Sequence, residues 1–225
     1  MTGAAMEPEK ADEGPPFPWA CAALIAIATV LFALQYYVVE RFPPKSAAER
    51  LALTLRFGAL FSPAVRNGQW WRTISYAFAH GSVVHLVFNM MAASALGVPL
   101  ERRIGTSKFL QLSLITCLGS AAAVLVVPRA HTVPTVGASG MILGWAAALL
   151  FMLGRAQVRE LGKMLLLNAV ISLIPGISWQ GHLGGFLFGL PCGYLLRRDA
   201  TTFSSRAPIL VAIAGALALF GAYRT

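Results

Sequence analysis

FLQLSLITCLGSAAAVLVV, residues 109–127, runs for nineteen positions without a charged side chain. A helix needs about 20 such residues to cross the hydrocarbon core of a bilayer. The same texture recurs on both sides of this stretch. Trp19–Val39, Val83–Leu100, Ser139–Leu153, Leu161–Ile174, His182–Leu196 and Ala207–Tyr223 bring the candidate spans to seven. Across all 225 residues the chain is 57% hydrophobic and 12% charged. A soluble domain carries about a quarter of its residues charged. The expected fold class is therefore an all-α polytopic membrane protein.

The distribution of charge predicts an orientation. Net charge is +9, and most of the basic residues lie between apolar blocks. Arg102, Arg103 and Lys108 follow the second block, Arg155, Arg159 and Lys163 the fourth, and Arg197, Arg198 and Arg206 the sixth. These loops share one side, which the positive-inside rule assigns to the cytoplasm. The opposite short loops carry little besides Arg129. The N-terminus is thus expected inside and the C-terminus outside. No basic stretch interleaves with aromatics, so nucleic acid is not an expected partner. Residues 1–18 mix Glu7, Glu9, Lys10, Asp12 and Glu13 with prolines, reading as a short cytoplasmic tail. They lack the basic start and small-residue cleavage site of a signal peptide, so the first apolar block is expected to remain in the mature protein. The short tail without a targeting sequence suggests a bacterial inner (plasma) membrane. Cys21, Cys117 and Cys192 sit in apolar blocks without C-x-x-C spacing and read as buried small hydrophobes.

Two departures from plain spans deserve a structural reading. Glu40 to Ser82 scatters Arg41, Lys45, Arg50, Arg56, Arg66 and Arg72 among Leu, Phe and Trp, a pattern suited to lying at the interface. The fourth to sixth blocks hold only 15, 14 and 15 residues, so they thin the bilayer or begin below its surface. The approach to the fourth, from His131 to Ala138, is rich in helix breakers. Non-helical backbone at membrane depth survives only against protein or a water-filled cavity. The expectation is a watery pit open on the outer side, with Ser139 near its floor.

Polar side chains inside spans are costly and mark function by default. Here they are His85, Asn89, Ser139 and His182. Alone, a serine beside glycines is more often a packing residue, and a histidine or asparagine near a span end a hydrogen-bond partner. Their combination is more informative. Gly137-Ala-Ser139-Gly140 opens a helix, whose positive end suits a developing oxyanion. His182 opens a second short helix on the same side. Gly185 and Gly189 share its face, and Gly140 and Gly144 form a matching small-residue pair, so the two backbones can approach closely. Close approach brings a hydroxyl and an imidazole within hydrogen-bonding reach. His85 and Asn89, four apart, share one helix face and can both donate to an oxyanion. His80, five before His85, should point elsewhere.

The acids exclude alternatives. Asp12 and Asp199 are the only aspartates and neither lies in a span, so a paired-aspartate intramembrane protease is ruled out. No H-E-x-x-H occurs, which removes a zinc metalloprotease. No span holds a glutamate, so a Ser-His-acid triad lacks its third member and a dyad remains. No metal or other cofactor is expected. A transporter would show internal repeats or ionisable groups in several spans, and a protein-binding pseudoprotease would be expected to lack the serine or the histidine. These remain the alternative classes.

From Trp70 to Leu196 the chain resembles the rhomboid family of intramembrane serine proteases. The matching pieces are Trp71-Arg72, the set His80, His85 and Asn89, the E-x-R-x-G of Glu101, Arg103 and Gly105, Gly137-x-Ser139-Gly140, and His182 with Gly185 and Gly189. The resemblance implies Ser139 as nucleophile and His182 as general base. It implies His85, Asn89 and the Ser139 N–H as oxyanion donors. Its substrates would be single-span membrane proteins cut near the outer end of a helix that can unwind. It implies a six-span core over residues 19–200 and an appended seventh helix over residues 201–225. One position departs from the pattern. Four residues after the serine, where the family usually places an aromatic against the catalytic imidazole, this chain has Leu143.

Overall fold

The structure, a computed structural model, describes residues 16–127 and 133–224. The tail through residue 15, and Arg129 and His131, which entered the readings of orientation and pit, lie outside the described residues. Ten helices follow in order: α1 Trp19–Arg41, α2 Ala47–Arg56, α3 Ser62–Arg66, α4 Arg72–Ser75, α5 Val83–Ile104, α6 Thr106–Val126, α7 Ser139–Leu149, α8 Arg155–Ile171, α9 Trp179–Arg198 and α10 Ala200–Tyr223. Seven of them fall on the seven apolar blocks. Four of these (α1, α5, α6 and α10) are long and apolar enough to cross a membrane by length and composition. With its large exposed hydrophobics, such as Leu34, Phe88, Leu166 and Phe220, the chain is an all-α integral membrane protein.

Several boundaries differ from the sequence reading, because hydropathy marks where apolar residues begin rather than where backbone hydrogen bonding begins. α8 starts at Arg155, ahead of the apolar run, with Arg155, Arg159, Glu160 and Lys163 on its first turns. α10 starts at Ala200, where the Asp199 side chain accepts the Thr201 and Thr202 N–H groups at 3.1 and 2.8 Å. Hydrogen bonds from the Thr201 and Thr202 hydroxyls, with those two N–H groups, hold the Asp199 carboxyl well below the usual carboxylate range.

Helix α7 forms the centre. All its residues except Ser139 are buried, and it is wedged between α6 and α9 with α5 alongside. Glycine makes this possible where backbones touch. A Cβ on Gly185 would run into the Gly140 carbonyl, and one on Gly189 into the Gly144 carbonyl. Cβ atoms on Gly140 and Gly144 would collide with the Ser120 and Thr116 side chains of α6 and come within 2.8 Å of the Gly181 and Gly185 carbonyls of α9. The packing is therefore backbone against backbone, the arrangement that stabilises helix pairs in a solvent that supplies no hydrophobic drive between them. Deeper in α7, the fully buried Trp145 donates its indole N–H to Ser113 Oγ at 3.1 Å. Helix α10 lies along α6 and touches α9, burying Phe203, Ala207, Ala214, Ala218, Gly221 and Ala222.

Glu101, near the C-terminal end of α5, is 2% exposed. Its carboxylate accepts the Ala20 and Cys21 N–H groups at 3.0 and 2.7 Å and the Thr106 hydroxyl at 2.7 Å. One buried carboxylate thus satisfies orphan donors at the start of α1 and the first residue of α6, where helix dipoles favour negative charge. Gly105, with φ of +82°, makes the turn between α5 and α6 in a region other residues rarely adopt. Arg103, between Glu101 and Gly105 in the E-x-R-x-G motif, is exposed.

Candidate active site

The residues between α1 and α5 fold into three short helices, and they hold the approach to α7. The Arg72 side chain turns inward. Its guanidinium donates to the Leu55 and Ala59 carbonyls at 2.6 and 3.0 Å and to Gln69 Oε1 at 2.7 Å, while neighbouring Trp70 and Trp71 stay exposed. Leu60 and Thr135 exchange both backbone hydrogen bonds at 2.9 Å, and the Gly137 N–H donates to the Tyr76 carbonyl at 2.9 Å. The Tyr76 hydroxyl in turn donates to the Cys117 carbonyl of α6 at 2.9 Å. The described non-helical backbone leading into Ser139 is therefore paired with the segment between α1 and α5, as burial requires.

Ser139 is the first residue of α7, and its backbone N–H is one of the donors that a helix start leaves without an intrahelical partner. His182 lies in the first turn of α9 rather than opening it, because Ser178 caps that helix by accepting the Gly181 N–H at 3.3 Å. The glycine contact between α7 and α9 brings the two side chains together: His182 Nε2 is 2.7 Å from Ser139 Oγ. Both residues are only partly buried.

His85 and Asn89 line the other side. Ser82 caps α5 by accepting the His85 N–H at 3.1 Å, which sets His85 in the first turn. Gly137, with φ of +117°, lies against both. A Cβ there would come within 2.7 Å of His85 Nε2 and 3.6 Å of Asn89 Nδ2. The missing side chain keeps open the space that both groups face. The Asn89 Nδ2 is buried without a hydrogen-bond partner among the described residues, an orphan donor in a structure where such groups are normally satisfied. The Gly81 N–H points at His85 Nδ1 at a long 3.5 Å. This favours the tautomer whose Nε2 carries the proton and can donate.

One sequence expectation changes here. His80 precedes α5 rather than lying in it, and it does not point away from His85; the rings meet edge to face with centroids 5.1 Å apart. The loop before the helix frees His80 from the angular spacing that separates residues five apart on a helix. The pair Ser139 and His182 has a further polar neighbour that the sequence reading did not name. His182 Nδ1 is 2.6 Å from Ser172 Oγ, and that hydroxyl donates to the Asn168 carbonyl at 2.6 Å. Ser172 is the C-cap of α8 and is buried. A polar partner thus stands where an acid is absent. Sequence reasoning passed over it because a serine at a helix end beside Pro175 and Gly176 reads as turn chemistry.

Among the described residues no group of three or more His, Cys, Asp or Glu side chains could hold a metal ion. The arrangement can perform nucleophilic acyl chemistry: a hydroxyl on a base, with an N–H at a helix start and two side-chain donors beside it.

Comparison with known proteins gives the same direction. A family model for the Rhomboid domain matches residues 67–199. The rhomboid protease GluP of Bacillus subtilis is 28% identical over 201 residues, covering 84% of this chain and 38% of the relative. RHOMBOID-like protein 5 of Arabidopsis thaliana is 31% identical over 153 residues, 64% of this chain and 50% of the relative. Rhomboid-like protease 3 of Toxoplasma gondii is 31% identical over 169 residues, 70% of this chain and 64% of the relative. The chain therefore spans between 38% and 64% of the length of these relatives.

Proposed function

The chain belongs to the rhomboid family, and from that premise we propose that it is an intramembrane serine endopeptidase working through Ser139 and His182. Its substrates are single-span membrane proteins, cut in or near the outer part of the transmembrane helix. The observation that carries the reading is the 2.7 Å contact between Ser139 Oγ and His182 Nε2 at a helix start, with Asn89 Nδ2, a buried donor without a partner among the described residues, beside Gly137 just before that start.

The chemistry follows from the geometry. His182 Nε2 takes the hydroxyl proton as Ser139 Oγ bonds to the scissile carbonyl carbon. Negative charge moves onto the carbonyl oxygen, towards the Ser139 N–H, His85 Nε2–H and Asn89 Nδ2–H. The imidazolium then gives its proton to the leaving amine as the C–N bond breaks, leaving an acyl-enzyme. Water, deprotonated by His182, attacks the ester, and the serine regains its proton. Preorganised donors of this kind act most strongly where water is scarce. The exposed Trp70 and Trp71 suit the outer interface, where amphipathic rings collect. The N-terminus then faces the cytoplasm of a bacterial cell.

A fluorophosphonate probe tests the reading, because only an activated serine reacts. The expected result is one adduct, on Ser139, lost in both Ser139→Ala and His182→Ala. A folded protein that takes no label would be a binding-only relative or a transporter, and the reading would fall.

A further inference from the structure

We propose that Ser172 is a positioning residue of this site, a neutral hydroxyl that holds His182 in the tautomer and orientation its role as base requires. This rests on the reading of Ser139 and His182 as the reacting pair.

A serine hydroxyl has one proton to donate and lone pairs to accept. Ser172 Oγ lies 2.6 Å from the Asn168 carbonyl, one turn back on α8, and 2.6 Å from His182 Nδ1. The carbonyl can only accept, so the hydroxyl proton is directed to it. Ser172 Oγ then accepts, and Nδ1 must carry the imidazole proton. The Nε2 lone pair is left facing Ser139 Oγ at 2.7 Å. The opposite tautomer would aim an N–H at the nucleophile and leave it without a base.

Electrostatics favours the same arrangement. Ser172 caps the C-terminus of α8, the end where a helix dipole stabilises a cation. When His182 becomes an imidazolium, its Nδ1–H points at a hydroxyl oxygen polarised by a helix carbonyl at that end. The proton on Nδ1 stays there throughout, and only the Nε2 proton moves. Among the described residues no aspartate or glutamate is hydrogen-bonded to His182, and Leu143 supplies no aromatic face for the ring. Among the described residues, Ser172 is the hydrogen-bond partner at Nδ1.

The test uses the whole 225-residue chain in detergent with a single-span substrate, comparing wild type, Ser172→Ala, Ser172→Thr and Ser139→Ala. Losing a hydrogen bond to a group that becomes charged should lower kcat about 10- to 100-fold in Ser172→Ala. KM should stay unchanged, and Ser172→Thr, which keeps the hydroxyl, should retain most of the rate. Nitrogen NMR of histidine-labelled wild type gives a reading independent of any variant: resting His182 should carry its proton on Nδ1. A wild-type kcat in Ser172→Ala, a Thr variant as impaired as the Ala variant, or a resting proton on Nε2 would each overturn the proposal. If Ser139→Ala still cleaves in the same assay, it is the underlying reading that fails.

Discussion

Gly185→Ala should cripple the proposed cleavage without touching either residue of the Ser139–His182 pair. The new Cβ would fall on the Gly140 carbonyl, with its carbon at 2.5 Å where ordinary contact begins at 3.4 Å, and the Gly140 oxygen nearer still. Neither atom is a flexible side-chain end that could swing away. The α7 and α9 backbones must part by roughly 1 Å, since interiors this tightly packed have no slack to absorb the atom. Gly185 lies one turn after His182, and Gly140 directly follows Ser139. That parting stretches the 2.7 Å hydrogen bond past the ~3.2 Å at which such bonds weaken. General-base assistance is worth about 10²–10⁴ in rate, and kcat should fall within that range. Overpacking costs about 1–3 kcal/mol, so the variant should melt earlier yet remain folded. The assay is cleavage of a single-span substrate in detergent, with thermal unfolding recorded on the same preparation. Gly162→Ala on α8, where a Cβ meets nothing within 4 Å, is the control and should keep full activity. A Gly185→Ala protein with wild-type kcat and stability would refute the backbone contact on which the site geometry depends.

Three other outcomes are expected, the first two from the structure and the third from the charge distribution. Asn89→Ala and His85→Ala should each lower kcat by up to about 10²–10³, the usual worth of one oxyanion donor, with KM little changed; normal cleavage by both would remove them from the site. Glu101→Ala leaves the Ala20 and Cys21 N–H groups and the Thr106 hydroxyl without their acceptor, so stability should fall by about 2–5 kcal/mol, read as a lowered melting temperature. Reporter fusions should place residues 104 and 157 in the cytoplasm and the C-terminus outside; a cytoplasmic C-terminus would mean that α1 or α10 does not cross.

What was legible in the sequence was whatever burial in a membrane forces onto composition. An uncharged run such as Phe109–Val127 leaves few alternatives to a span, and Ser139, His182, His85 and Asn89 stood out because polar groups there are expensive. The glycine spacing of Gly140, Gly144, Gly185 and Gly189 even announced which two helices would touch. The rest depended on contacts that no local pattern encodes. Glu101 meets the start of α1 from eighty residues away. Ser172 reaches His182 across a Pro-Gly turn whose path the sequence does not specify. His80 turned towards His85 because a capped helix start, not helical spacing, sets their relation.

The central claim, proteolysis by Ser139, is tested most directly by reconstituting the purified protein in liposomes with a single-span substrate and analysing the products by mass spectrometry. The wild-type protein should release two fragments joined at one bond near the outer end of the substrate helix, and Ser139→Ala should leave the substrate whole. Fragments that persist in Ser139→Ala, or an intact substrate with the folded wild-type protein, would contradict it.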